Sequence, residues 1–126
     1  MKQPLETSAL RQPLSDYVKE LFDVLSVNQT YIYKTARMSP HTYYRVLRGN
    51  EPPGSRDRFL IACLVLIRQS YDDRIINKEE QRDLIRKLRR VGGDTVIVAA
   101  KYGLQELTDY LQQAYQRSRN RFKSNN

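Results

Sequence analysis

The stretch QTYIYKTARMSPHTYYRVLRGN, residues 29–50, decides how this chain is read. Two short runs with helical spacing flank a Ser-Pro pair. In the first run Ile32 and Ala36 lie four apart on one face, and Asn28 stands where an N-cap belongs. Arg37 and Met38 fill a turn. Ser39 is a strong N-cap residue, and Pro40 follows at the first helical position, where its missing N–H would have had no partner anyway. The second run ends at about Arg48, and Gly49 suits the left-handed residue that closes a helix. The Ser-Pro pair therefore starts a second helix at a new angle instead of breaking a single long one. Tyr43 and Val46, three apart, are expected to face the core, with Met38 leading in. His41, Thr42, Tyr44, Arg45 and Arg48 are then left toward solvent.

The charge of this stretch points the same way. It carries Lys34, Arg37, Arg45 and Arg48 and no carboxylate; after Asp23 the first acid is Glu51. A helix held clear of the body fits the DNA major groove, which is about 12 Å wide. An acid on such a helix would lie near phosphates and repel them. Four of the nine tyrosines also fall here, and their hydroxyls can reach phosphate oxygens. Across the whole chain, 22 basic residues outweigh 14 acidic ones, for a formal charge of +8. Such an excess favours anionic partners: nucleic acid first, an acidic membrane surface or acidic protein second.

Together, Gln29, Ile32, Ala36, the Arg37–Met38 turn, Ser39 and Gly49 form a pattern that resembles the helix-turn-helix of the lambda repressor/Cro-like (Xre) DNA-binding domains. In that family Gln opens the first motif helix, an apolar residue follows three later, and Ser or Thr leads the recognition helix. Tyr43 and Val46 match its buried recognition-helix positions, and residues 29–49 fit without insertion. The family's next elements are a loop and an apolar fourth helix, which EPPG (51–54) and RDRFLIACLVLI (56–67) look like here. The resemblance covers about residues 13–70. Two positions depart from it. Tyr33 stands where the family usually has Ala, at the close crossing of the two helices. Arg37 stands where it usually has Gly, and a non-Gly residue in a left-handed turn costs about 1–2 kcal/mol.

The resemblance implies an all-α fold: a lambda repressor-like helix-turn-helix bundle with additional C-terminal helices. It implies sequence-specific binding of double-stranded DNA by a transcriptional regulator, repressor or activator, that inserts helix 40–48 into the major groove as a homodimer. By position, His41, Thr42, Tyr44 and Arg45 are the expected base contacts. Arg45 could form paired hydrogen bonds to guanine, worth about 1–3 kcal/mol of discrimination. Gln29, Lys34, Arg48 and Asn50 are the expected phosphate contacts.

The rest of the chain is read around this core. Residues 1–12 are expected to form a flexible arm. A helix from about 13 to 26 carries the stripe Leu14, Val18, Leu21, Phe22 and Leu25. Ser55 can cap a fourth helix through the apolar run FLIACLVLI (59–67). A buried strand would show the same run, but every neighbour is helical and no partner strand is apparent. NKEE (77–80) resembles a capping box, with Asn in place of Ser or Thr, and opens a helix that Gly92 and Gly93 end. Arg82, Arg86, Arg89 and Arg90 lie opposite its Leu84, Leu88 and Val91 stripe, as a solvated face or a secondary phosphate-contacting surface. A short segment, TVIVAAKY, follows Asp94, and a last helix runs from Leu104 to about Ser118. VIVAAKYGLQ faintly suggests a second helix-turn-helix, but Asp109 and Gln112 fall where that motif needs apolar residues. Leu104, Leu107, Leu111 and Ala114 repeat near every seven residues, which suits packing on the chain's own core or on a twin subunit. Residues 13–70 are thus assigned to the DNA-binding domain. Residues 71–119 are assigned to a helical, dimerising region and 120–126 to a basic disordered tail.

Other classes fit less well. The chain has a single His and a single Cys, no Gly-rich phosphate loop and no cluster of metal ligands. No enzyme, cofactor or metal is expected. Cys63 sits in the apolar run as a small core residue. DDRIINKEE is acidic but lacks the central Gly and alternating ligands of a calcium loop. The longest apolar run is about half a membrane span, and MKQPLETSALRQP lacks the apolar centre of a signal peptide. A cytoplasmic protein is expected, with duplex DNA and a second copy as partners and no membrane. The main rival is a helical protein-interaction adaptor that uses the same fold without specific DNA readout. Non-specific RNA binding through the basic tail is a third reading.

Overall fold

Residues 59–67 are buried without exception, and they set the architecture. A computed structural model describes residues 14–124 and places this run inside an 18-residue helix, α4 (Ser55–Asp72). A helix apolar on every side has to be enclosed by others. Before it come α1 (Leu14–Leu25), α2 (Gln29–Thr35) and α3 (Pro40–Leu47); after it come α5 (Lys78–Gly92), α6 (Asp94–Ala99) and α7 (Leu104–Ser124). The described residues are all-α, with no strand. The arm expected at 1–12 lies outside them, as do residues 125 and 126.

The enclosing helices are held by specific contacts. On α1, Leu14, Tyr17, Val18, Leu21 and Leu25 are buried, and the Tyr17 hydroxyl donates to the Leu84 carbonyl of α5 at 2.9 Å. Tyr17 is thus buried where the sequence pattern does not include it, and Phe22, which the pattern does include, is only half-buried. Lys87 on α5 pairs with Glu20 on α1 and with Asp83. The capping box forms as read: Glu80 N–H donates to the Asn77 side chain at 2.8 Å, and Asn77 N–H to the Glu80 carboxylate at 2.9 Å.

Three arginines of α4 bind the ends of other helices. Arg56 donates to the Val91 carbonyl at 2.8 Å, Arg58 to the Arg37 carbonyl at 3.3 Å, and Arg68 to the carbonyls of Ala100, at 2.6 Å, and Tyr102. The last carbonyls of a helix have no partner within it and carry partial negative charge, so a guanidinium is a good match. The central helix thus ties down the C-terminal ends of α5, α2 and α6. Gly92, at the end of α5, is needed for close approach: a Cβ there would lie 2.4 Å from Val96 Cγ2 and 3.1 Å from the Leu60 methyls.

One expectation is corrected, and three others are set beside what the described residues show. Ser55 is not the cap of α4; Gly54, at φ +82°, holds that position, and Ser55 is the first helical residue and buried. The last helix continues six residues beyond Ser118, through most of the segment expected to be a disordered tail. A division at residue 70 falls inside α4, and one cluster of buried residues runs from Leu14 to Leu111. Finally, Leu107 and Leu111 are buried in the chain's own core, with Leu104 packed against it. Ala114 on the same helix is half-buried. The stripe expected at a dimer interface is therefore largely consumed within the subunit.

Candidate nucleic-acid interface

The corner between α2 and α3 is built by local hydrogen bonds. Asn28 caps α2, its side-chain oxygen accepting from Thr30 N–H at 3.0 Å. At the other end, Arg37 N–H donates to the Lys34 carbonyl at 3.1 Å and Met38 N–H to the Tyr33 carbonyl at 3.0 Å. These two bonds, with Arg37 at φ +56°, make a Schellman stop. A left-handed residue without a glycine's freedom is held there from two sides. Arg58 donates to its carbonyl, and its own guanidinium lies over the ring of Tyr115 at 5.9 Å. Burial lowers the pKa of Arg58 below the usual guanidinium range.

Ser39 then caps α3, its Oγ accepting from Thr42 N–H at 3.1 Å, with Pro40 in the first turn. The helix ends on a second Schellman stop. Gly49 N–H donates to the Val46 carbonyl at 3.0 Å and Asn50 N–H to the Arg45 carbonyl at 2.9 Å, with Gly49 at φ +75°. From behind, α3 rests on Tyr43 and Val46, both fully enclosed. The Tyr43 ring stacks on Phe59 of α4 at 5.5 Å and meets Tyr33 and Tyr44 edge-on at 5.6 and 5.1 Å. Tyr33 thus fills the helix crossing through an aromatic cluster. Among the described residues the buried Tyr43 hydroxyl has no hydrogen-bond partner, and burial pushes its pKa well above the usual phenol range.

The outward side of the corner holds the residues singled out from the sequence. His41 and Tyr44 are exposed, while Thr42 and Arg45 are half-buried. The Thr42 hydroxyl accepts from Ser39 Oγ at 3.2 Å. Arg45 Nε donates to the Asn50 carbonyl at 2.8 Å, which fixes the guanidinium at the C-terminal end of α3 and leaves its Nη donors for an outside acceptor. Gln29, Lys34, Arg48 and Asn50 are all exposed. Among the described residues, none of Lys34, Arg37, Arg45 and Arg48 pairs with a carboxylate. All eight expected contact residues therefore lie on accessible positions of one corner. The four expected at a dimer interface lie elsewhere, along α7.

Sequence reading missed Arg58 and Tyr115, which hold the turn. Neither carries a local signal, because each acts across more than 20 residues of chain. A second surface lies between α4, α6 and α7: a groove of about 510 Å³ lined by Ile61, Val98, Tyr102, Tyr110 and the carboxylates of Asp57 and Glu106, among others. Among the described residues there is no cluster of three metal-ligating side chains, and no helix is long and apolar enough to cross a membrane. Comparison with protein-family models, with curated proteins and with solved structures gave no match for this chain.

Proposed function

We propose that this chain is a sequence-specific binder of double-stranded DNA, a transcriptional regulator of the lambda repressor/Cro-like kind, that lays α3 in the major groove. The observation that carries the reading is the outward side of the α2–α3 corner. Two separately capped helices meet at a left-handed Arg37, and their four cations have no carboxylate partner among the described residues. In this reading His41, Thr42, Tyr44 and Arg45 meet base edges. Gln29, Lys34, Arg48 and Asn50 hold the phosphates that set register. An eight-residue helix buries too little for tight specific binding alone. A homodimer on a two-fold site supplies the second helix.

Selection of bound sequences from a random duplex pool tests this. A two-fold symmetric consensus is expected; a pool that stays random after repeated rounds would refute sequence-specific binding. The adaptor reading has one observation in its favour, the apolar groove between α4, α6 and α7. It predicts binding to a protein that survives high salt, whereas affinity for duplex DNA falls steeply with salt.

A further inference from the structure

The net charge is not spread over the chain. Residues 24–50 and 110–126 hold eight of the 22 basic residues and none of the 14 acidic ones. The remainder is balanced, fourteen against fourteen, so the whole excess of +8 belongs to these two stretches. They are about sixty residues apart in sequence, yet the fold joins them. Arg68, late in α4, reaches the carbonyls of Ala100 and Tyr102 just before α7; Ile61 and Leu107 line one groove; Arg37, beyond the start of α4, meets Tyr115. Thus α7 runs antiparallel to α4 and passes the α2–α3 turn at Tyr115. There a single ring carries two cations, one from each stretch: Arg37 at 5.9 Å and Arg119 at 5.7 Å from its centroid.

Beyond Tyr115 the helix continues to Ser124, about 13 Å of further rise. Arg117 and Arg119 are exposed, and the sequence continues with Arg121 and Lys123. Among the described residues, Arg37, Arg117 and Arg119 have no carboxylate partner, which leaves their charge for an outside anion.

We infer that the last turns of α7, after Tyr115, are a second DNA-contacting element. They hold duplex phosphates beside the α2–α3 corner without reading bases. This rests on the DNA-binding reading above and assigns that reading a second contact surface. Phosphates are the chemistry that fits, because the segment offers charge with no acid to set direction and no capped, outward-facing reading helix of its own.

The test uses the full chain and two duplexes, one drawn from the selected pool and one scrambled, titrated by anisotropy across a salt series. For R117Q/R119Q, the slope of log affinity against log salt is expected to flatten by about two contacts' worth. Between about 50 and 200 mM salt, affinity then falls roughly tenfold less than for the unaltered chain. Both duplexes should weaken by the same factor. R117K/R119K should keep the slope. An unchanged slope in R117Q/R119Q with native helix content would overturn the inference while leaving the corner as a DNA-binding surface. So would a slope equally flattened in R117K/R119K. Failure of the unaltered chain to bind either duplex would overturn both readings.

Discussion

The guanidinium of Arg37 lies over the ring of Tyr115, 5.9 Å from its centroid, and joins the turn of the α2–α3 corner to the last helix. Arg37 also sits at φ +56°, a conformation that a side chain resists. The contact offsets part of that strain, since an exposed cation–π pair contributes about 0.5–1 kcal/mol. Removing the side chain in two ways separates these effects. Arg37→Ala loses the contact and keeps the strain; Arg37→Gly loses the contact and relieves the strain. Urea unfolding should find the Gly variant more stable than the Ala variant by about 1 kcal/mol. The reverse order would show that the turn is not left-handed.

Two buried tyrosines should respond to loss of their hydroxyls with opposite signs. The Tyr17 hydroxyl is satisfied by the Leu84 carbonyl, and the Tyr43 hydroxyl has no partner among the described residues. Tyr17→Phe is expected to destabilise the fold by about 1 kcal/mol, the net contribution of one hydrogen bond. Tyr43→Phe is expected to stabilise it by about 1 kcal/mol, because an unpaired buried hydroxyl is unfavourable. Denaturant midpoints of the two variants check both signs at once. Loss of stability in Tyr43→Phe would mean that its hydroxyl does have a partner.

Alkaline pH should weaken the fold, and Cys63 should dominate the early part. Burial raises the pKa of the Cys63 thiol and of the Tyr17 and Tyr43 phenols above their ordinary values. A raised folded pKa gives stability that is complete below the unfolded pKa and is lost as pH rises above it. The unfolded thiol ionises near about 8.5 and the phenols near about 10. Stability should therefore hold to about pH 8 and fall by roughly 2–3 kcal/mol by about pH 10. Cys63→Ala, although less stable at pH 7, should show a much flatter decline. Equal slopes in the two proteins would remove the thiol from the explanation.

The end of α5 should tolerate no added methyl group. At Gly92 a Cβ would meet Val96 and Leu60, both in the core. Gly92→Ala is expected to destabilise by about 1–3 kcal/mol, as overpacking does. At Gly49, where a Cβ meets nothing within 4 Å, the same change acts only through the left-handed backbone. A thermal melt of Gly92→Ala that matches the unaltered chain would show that Val96 and Leu60 can move aside.

Much of this fold is written in short-range chemistry. Ser39-Pro40 and Gly49 mark the limits of α3 because caps act within a few residues, and the NKEE box does the same for α5. The run 59–67 announces a buried element, and its helical neighbours, with no apparent partner strand, make that element a helix. Caps also compete, and Gly54 takes the position that Ser55 could have held. The end of α7 was hidden for a different reason. RSRNRFK has no apolar stripe, yet arginine and lysine favour helix, and cations suit the negative C-terminal end of its dipole. Contacts of Arg56, Arg58 and Arg68 with distant carbonyls have no local signature. The outward cations of the corner were legible from spacing alone, but the aromatic cluster behind them was not, since Phe59 joins Tyr33, Tyr43 and Tyr44 only in the folded chain.

The reading helix itself is tested most directly by a competition gel shift with a selected duplex and its scrambled counterpart. Arg45→Ala should reduce the preference between the two by about 1–3 kcal/mol, the contribution of one paired base contact. Lys34→Ala should weaken both duplexes alike and leave the preference intact. Equal losses on both duplexes for Arg45→Ala would contradict the claim that α3 reads DNA sequence.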